Sequence, residues 1–139
     1  MQVDVGPVLS AAQMAATLAR LDDGPGFVRI RIYSTAIPET PGSHSDTPQA
    51  TFTLPKPCGA VVAGVLVFAA PPQAMVMSDG LPRWGEVLAA DGAFMWQADA
   101  TDKDHDGFFQ LEGAPTPDGE TSPMYYAGGM VTLGTTAVT

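Results

Sequence analysis

The chain has 139 residues, a length that suits one domain with a sizeable core and no need of a disulfide or a metal to fold. Fifteen acidic and six basic residues give a formal net charge of −9. This balance argues against nucleic acid as a partner, because neutralising phosphates requires clustered Lys and Arg.

Charged residues make up only 15% of the chain, while Gly and Pro contribute 15 and 13 residues. Such a composition predicts short strands joined by many turns, and a surface that another molecule partly covers. The single cysteine, Cys58, excludes an internal disulfide framework. We expect neither a signal peptide nor a membrane span, since the most apolar window, residues 60–70, is too short to cross a bilayer.

Residues 1–26 are predicted to form an N-terminal arm and the one helix of the chain, at residues 10–21. Ser10 followed by Gln13 has the spacing of a capping box, which predicts that the helix begins there. One apolar stripe runs along the helix, formed by Met14, Leu18 and Leu21. Because the stripe is narrow, we expect the helix to pack on the periphery of a sheet or on a neighbouring subunit.

Residues 27–33 alternate between two faces without a break, which is the pattern of a half-buried β-strand. One face, predicted to enter the core, consists of Val28, Ile30 and Ile32. The other face is cationic and aromatic, and consists of Phe27, Arg29, Arg31 and Tyr33. We predict that this second face contacts an acidic neighbour. The alternative is that a second sheet or the helix covers it.

Residues 34–49 follow without periodicity and contain three prolines. Loops of this length without secondary structure are usually functional or disordered. We therefore predict an extended loop that contacts a neighbour, with a mobile surface loop as the alternative.

The remaining strands are predicted at residues 50–54, 60–69, 73–77, 83–88, 93–98, 108–111 and 130–138. Residues 60–69 are continuously apolar and predict a buried central strand with a bulge at Gly64. Asp91-Gly92 predicts a hairpin between residues 83–88 and 93–98. The pattern indicates a mainly β protein, a single antiparallel β-sandwich or jelly-roll domain over residues 1–139 with one N-terminal α-helix.

The sharpest local motif is an acidic loop at residues 102–107, in which Asp102, Asp104 and Asp106 alternate before a glycine. This is the first half of a calcium-binding loop. The second half fails, because the twelfth position is Gly113 instead of a bidentate glutamate. A solvated acidic loop is therefore the preferred interpretation, and no metal or cofactor is predicted.

Trp84 and Trp96 are predicted to face each other across the hairpin, as a sugar-stacking platform or simply as a cross-strand pair that stabilises the sheet. A nucleophile would need a partner for Cys58, and neither His44 nor His105 lies in a flanking motif. We therefore do not expect an enzyme.

Several stretches together resemble small β-rich structural proteins of tailed bacteriophages. They are the helix leading into Gly24-Pro25-Gly26, Ile32-Tyr33-Ser34 before a Pro-rich loop, Thr51-Phe52-Thr53-Leu54, Asp91-Gly92 after a Trp-bearing strand, and residues 127–132 (Ala-Gly-Gly-Met-Val-Thr). The resemblance spans residues 10–138 and implies a virion component, commonly a capsid decoration (cement) protein. It carries over no catalytic or ligand residues.

The expected function is thus a virion structural protein that stabilises the phage head and is assembled in the bacterial host cytoplasm. Its partners would be the major capsid protein or other virion proteins, and further copies of itself on the particle, with no nucleic acid or membrane. Two alternatives are a neck, collar or tail-fibre module, and a carbohydrate- or calcium-binding β module.

Overall fold

A computed structural model describes residues 5–138. This part of the chain forms one helix and ten strands. They are α1 (Pro7–Asp22), β1 (Arg29–Tyr33), β2 (Ala50–Thr53), β3 (Gly59–Val62), β4 (Val65–Phe68), β5 (Ala74–Met75), β6 (Trp84–Leu88), β7 (Phe94–Asp102), β8 (Phe109–Glu112), β9 (Met130–Leu133) and β10 (Ala137–Val138). The mainly β class with one N-terminal helix is confirmed.

Seven strands form one sheet in the order β2-β1-β6-β7-β8-β9-β5. The two edges of the sheet, at β2 and β5, approach each other. Just beyond these strands, the Met77 amide donates a hydrogen bond of 2.7 Å to the Gln49 carbonyl. Strands β7 and β8 pair in parallel, with Ala100 opposite Phe109, while the other pairs are antiparallel. A nearly closed sheet with a parallel pair leaves the predicted sandwich or jelly roll unconfirmed.

The core lies inside this sheet, and β1 together with the residue just before it contributes the side chains predicted for it. Val28, Ile30 and Ile32 are buried, together with Phe52 of β2 and Phe109 of β8. Burying each such side chain contributes about 1.5–3 kcal/mol. The alternation of β1 therefore predicted the inner face correctly.

The helix begins three residues earlier than predicted, at Pro7. Proline suits this first position because its missing amide hydrogen would have no partner there. Gly6 is the N-cap and supplies no side-chain cap, whereas the Ser10 hydroxyl donates to the Gly64 carbonyl at 2.9 Å. The predicted capping box is therefore wrong. The predicted stripe does face the core, with Leu21 buried and Met14 and Leu18 packed against it.

The apolar run at residues 60–69 is two strands, not the single buried strand predicted. Strands β3 and β4 form a hairpin, and β10 joins them in a small sheet of order β10-β4-β3. The turn consists of Ala63 and Gly64, whose φ angles of 52° and 78° lie in the left-handed region that two-residue hairpin turns need. Gly64 thus makes a turn instead of a bulge, and Val62 is exposed.

Replacing Gly85 with alanine should destabilise the protein. A Cβ at this buried position of β6 would lie 2.8 Å from Ile32 Cδ1 and 2.9 Å from Phe109 Cδ2. Overpacking of this kind costs about 1–3 kcal/mol of unfolding free energy, which urea denaturation measures.

The control for this prediction combines Gly85→Ala with Ile32→Val, which removes the nearest atom. The double variant should lose less stability than the two single variants added together. Strictly additive losses would contradict the proposed clash.

Candidate contact surfaces

The loop at residues 34–49 does not extend away from the domain, but folds back over the outer face of β1, β6 and β7. His44 Nε2 lies 2.8 Å from a carboxylate oxygen of Glu86, and Gln97 Nε2 donates to the Pro38 carbonyl at 3.0 Å. Gly42 lies against the Phe94 ring, since an added Cβ would be 3.0 Å from that ring. The prediction of an extended loop is therefore corrected to a loop that covers its own sheet.

A buried aromatic cluster holds the loop in place. The rings of Tyr33 and Trp84 stack at 4.2 Å between centroids, and the His44 ring meets each of them edge-on at 5.0 Å. The Tyr33 hydroxyl donates to Glu86 Oε1 at 2.8 Å, while Glu86 Oε2 contacts His44. Burial, followed by the bond to Glu86, raises the pKa of Tyr33 above its usual range, so the phenol stays protonated and remains the donor.

The aromatic cluster buries one residue of the predicted contact face and leaves the other three at least partly exposed. Tyr33 is completely buried, so its assignment to a contact face is wrong. Phe27 is 51% exposed, and Arg29 and Arg31 are partly exposed. Within the part of the chain that the structure describes, neither arginine forms an ion pair. Both line a polar cavity of about 370 Å³ beneath the loop.

The two tryptophans do not face each other. Trp84 lies opposite Asp99, and Trp96 lies opposite Val87, so the two tryptophans are three residue pairs apart along the hairpin. Trp84 is buried, and Trp96 packs against Phe68 with 6.1 Å between ring centroids. The predicted sugar-stacking platform is therefore not formed.

One carboxylate, that of Asp102, organises the acidic loop at residues 102–107. Asp102 accepts hydrogen bonds from the Thr116 hydroxyl at 2.6 Å and from the Asp104 amide at 3.0 Å, and lies 2.6 Å from His105 Nδ1. These bonds, that from Thr116 first, lower the pKa of Asp102. Asp104 and Asp106 are exposed, and no group of metal-binding side chains forms among residues 5–138.

Cys58 is buried and packs in the hydrophobic core. Its amide donates to the Asp22 carboxylate. Burial, and then the nearby Asp22 charge, raises the pKa of the thiol to about 12. The thiolate, which is the nucleophilic form, is therefore disfavoured at neutral pH.

Two exposed apolar areas are not among the contact residues predicted from the sequence. One, which we call the helix–hairpin surface, lies where the first turn of α1 meets the β3–β4 turn through the bond between Ser10 and Gly64. It consists of Val5, Val8, Leu9 and Val62, of which Val8 is 86% exposed. The sequence contains a signal for this surface, because the apolar residues Val8 and Leu9 lie just before the helical stripe that enters the core.

The second area is the apolar groove, a cavity of about 440 Å³ between the segment after β8 and the start of β9. Its exposed walls include Tyr126 and Met130, and Met130 lies opposite Met75 of β5. The alternation of residues 74–77 held a signal for this edge, since Ala74 and Val76 are buried while Met75 and Met77 are exposed.

No family model, curated protein or solved structure matches this chain. Within residues 5–138, no helix has the length and apolar character needed to cross a membrane. The functional interpretation therefore depends on the surfaces of the molecule itself.

The variant His44→Ala should release the loop. Loss of the His44 contacts would remove about 1–3 kcal/mol of the free energy that favours the closed loop. Because each 1.4 kcal/mol is about tenfold in an opening equilibrium, a glutamyl endopeptidase should cleave faster after the exposed residue Glu39. The matched control is Ser45→Ala, at an exposed neighbouring position. Equal cleavage rates in the two variants would contradict the pinning role of His44.

The variant Asp102→Asn should weaken the protein at neutral pH and reduce its sensitivity to acid. The native pKa of Asp102 is lowered. Its contribution is therefore present above the unfolded pKa of about 4 and is lost as pH falls through the native value. Urea denaturation at pH 7 and pH 3 should show a stability gap between wild type and variant that narrows in acid. The matched control, Asp106→Asn at an exposed position, should show no such gap.

Proposed function

We propose that this protein is a structural component of a phage virion, which binds the outside of the capsid and reinforces the head. The observation that carries the proposal is the helix–hairpin surface, where the start of α1 and the β3–β4 hairpin, which meet through Ser10 and Gly64, contribute four exposed apolar side chains. Contiguous exposed apolar surface commonly marks a site of interaction with another protein. The low content of charged residues and the resemblance to phage structural proteins support the same function.

Such a role requires many weak contacts instead of one strong site. A protein bound to several copies of a shell subunit gains retention from multivalency, because each further contact forms at high effective concentration. The partner would be the major capsid protein, and the place of action the virion, after assembly in the host cytoplasm.

A neck, collar or tail-fibre module is the second candidate. It would use the same exposed apolar surface, so the number of copies on a particle and their location distinguish the two. Many copies spread over the head indicate decoration. A few copies at one vertex indicate the neck or tail.

The test is to mix the purified protein with empty expanded capsids and to count bound copies by cryo-electron microscopy and sedimentation. The variant with Val8→Ser and Leu9→Ser should bind more weakly by at least tenfold, since burying each apolar side chain is worth about 1.5–3 kcal/mol.

The matched control is Met77→Ser, also an exposed apolar residue but one that follows strand β5. It should leave capsid binding unchanged. If the wild-type protein binds neither capsids nor neck and tail structures, the proposal fails. If the control loses as much affinity as the helix variant, the helix–hairpin surface is not the contact.

A further inference from the structure

One face of the molecule offers unpaired cations beside an exposed aromatic ring. Phe27, Arg29 and Arg31 occupy alternate positions and so share a face. The two arginines are among only six basic residues in the chain. Neither forms an ion pair within the described residues. We call these three residues the basic face.

The carboxylates near the basic face are already engaged by other groups. Glu86 accepts from the Tyr33 hydroxyl and contacts His44. Asp46 also lines the cavity, and its Oδ2 accepts a hydrogen bond from the Thr35 hydroxyl. Arg31 is close enough to Tyr33 to act on its hydroxyl, and there it lowers the pKa of Tyr33 against the larger effects of burial and Glu86. Neither guanidinium group pairs with a carboxylate of the described residues, so both keep donors with which to bind a carboxylate from outside.

A second part of the molecule has the complementary character. The apolar groove, with a volume of about 440 Å³, is large enough for an aromatic side chain. The buried Tyr125, which lines it, donates its hydroxyl to the Glu112 carbonyl at 2.7 Å. Pro115, Tyr126 and Met130 line it. These residues offer the apolar and aromatic contacts that a ring such as Phe27 would make.

An acidic pocket of about 420 Å³ adjoins the apolar groove and shares residues 113–116 with it. Asp102, Asp104 and Glu112 line this pocket with one basic residue, Lys103. Asp102 is engaged by its own loop, as described above, but Asp104 and Glu112 are exposed and form no ion pair in the described chain. The groove and the pocket together thus offer an apolar slot beside free carboxylates.

These two regions lie on different sides of the nearly closed sheet. The basic face lies on β1 and the segment just before it, while the groove and pocket are built around the end of β8 and the start of β9. In the strand order, β6 and β7 separate β1 from β8 in one direction, and β2, β5 and β9 separate them in the other. The basic face of one molecule therefore cannot reach the groove of the same molecule. It can reach the groove of a second molecule.

We propose that copies of this chain bind head to tail. The basic face of one copy places Phe27 in the apolar groove of the next copy and sets Arg29 and Arg31 against Asp104 and Glu112 there. Charge complementarity selects this occupant, because a contact between like regions of two copies would bring carboxylates to carboxylates or arginines to arginines. The contact uses residues distinct from those of the helix–hairpin surface.

Such a contact is heterologous. Repetition of it closes into a ring when the rotation between copies divides a full turn, and otherwise grows into an open filament. A ring could surround a symmetry axis of a shell while each copy keeps its helix–hairpin surface free for the shell. The proposed contact does not depend on the proposed function, since it forms between copies of this chain alone.

The test measures self-association of the purified protein by sedimentation velocity. At low ionic strength the mean mass should rise with protein concentration, and it should fall at 1 M salt, where the screening length is about 3 Å. The variant with Arg29→Glu and Arg31→Glu, and the variant with Asp104→Lys and Glu112→Lys, should each remain monomeric. An equimolar mixture of the two should associate again, because each carries the charge that the other has lost.

A matched control uses Lys103→Glu, which changes the net charge in the same direction as Arg29→Glu. It removes the one basic group of the acidic pocket, so self-association should strengthen, whereas general charge repulsion between copies would weaken it. The proposal is overturned if the wild-type protein stays monomeric at low salt, if the mixture does not associate, or if Lys103→Glu weakens association. Capsid binding by the monomeric variants, measured separately, tells whether the proposed function stands on its own.

Discussion

The buried carboxylate of Glu86 is the constraint on which the outer half of this structure depends. A carboxylate in the middle of a sheet is costly unless its oxygens find donors, and here Tyr33 and His44 supply both contacts. Tyr33 comes from β1 and His44 from the loop at residues 34–49. Satisfying one buried charge therefore joins the central strand to the long loop that covers it.

This arrangement explains why β1 is buried on both faces for only part of its length. Toward its end, the stacked Tyr33 and Trp84 rings and the His44 ring exclude solvent from the outer face. At its start Arg29 is partly exposed, and Phe27, just before the strand, is exposed. The same loop that removes Tyr33 from the surface thus defines the basic face that remains.

The molecule presents two kinds of surface that differ in chemistry and place. The helix–hairpin surface is purely apolar and suits a partner held by burial of area. The basic face is complementary in charge to the acidic pocket beside the apolar groove, and this complementarity suits a contact of defined orientation.

The sequence by itself determined the features that follow from local periodicity. The alternation of β1 identified its inner face, the helical stripe identified the side of α1 that enters the core, and Asp91-Gly92 located the β6–β7 hairpin. Only the tertiary structure decided which residues pair across the strands and which segment covers each face. Period-two patterns show which residues share a face but not which partner covers them. The burial of Tyr33 depends on the return of the loop over the sheet, the offset of Trp84 from Trp96 on the register of the β6–β7 hairpin, and the parallel pairing of β8 on the sheet order. None of these has a local signal in the sequence.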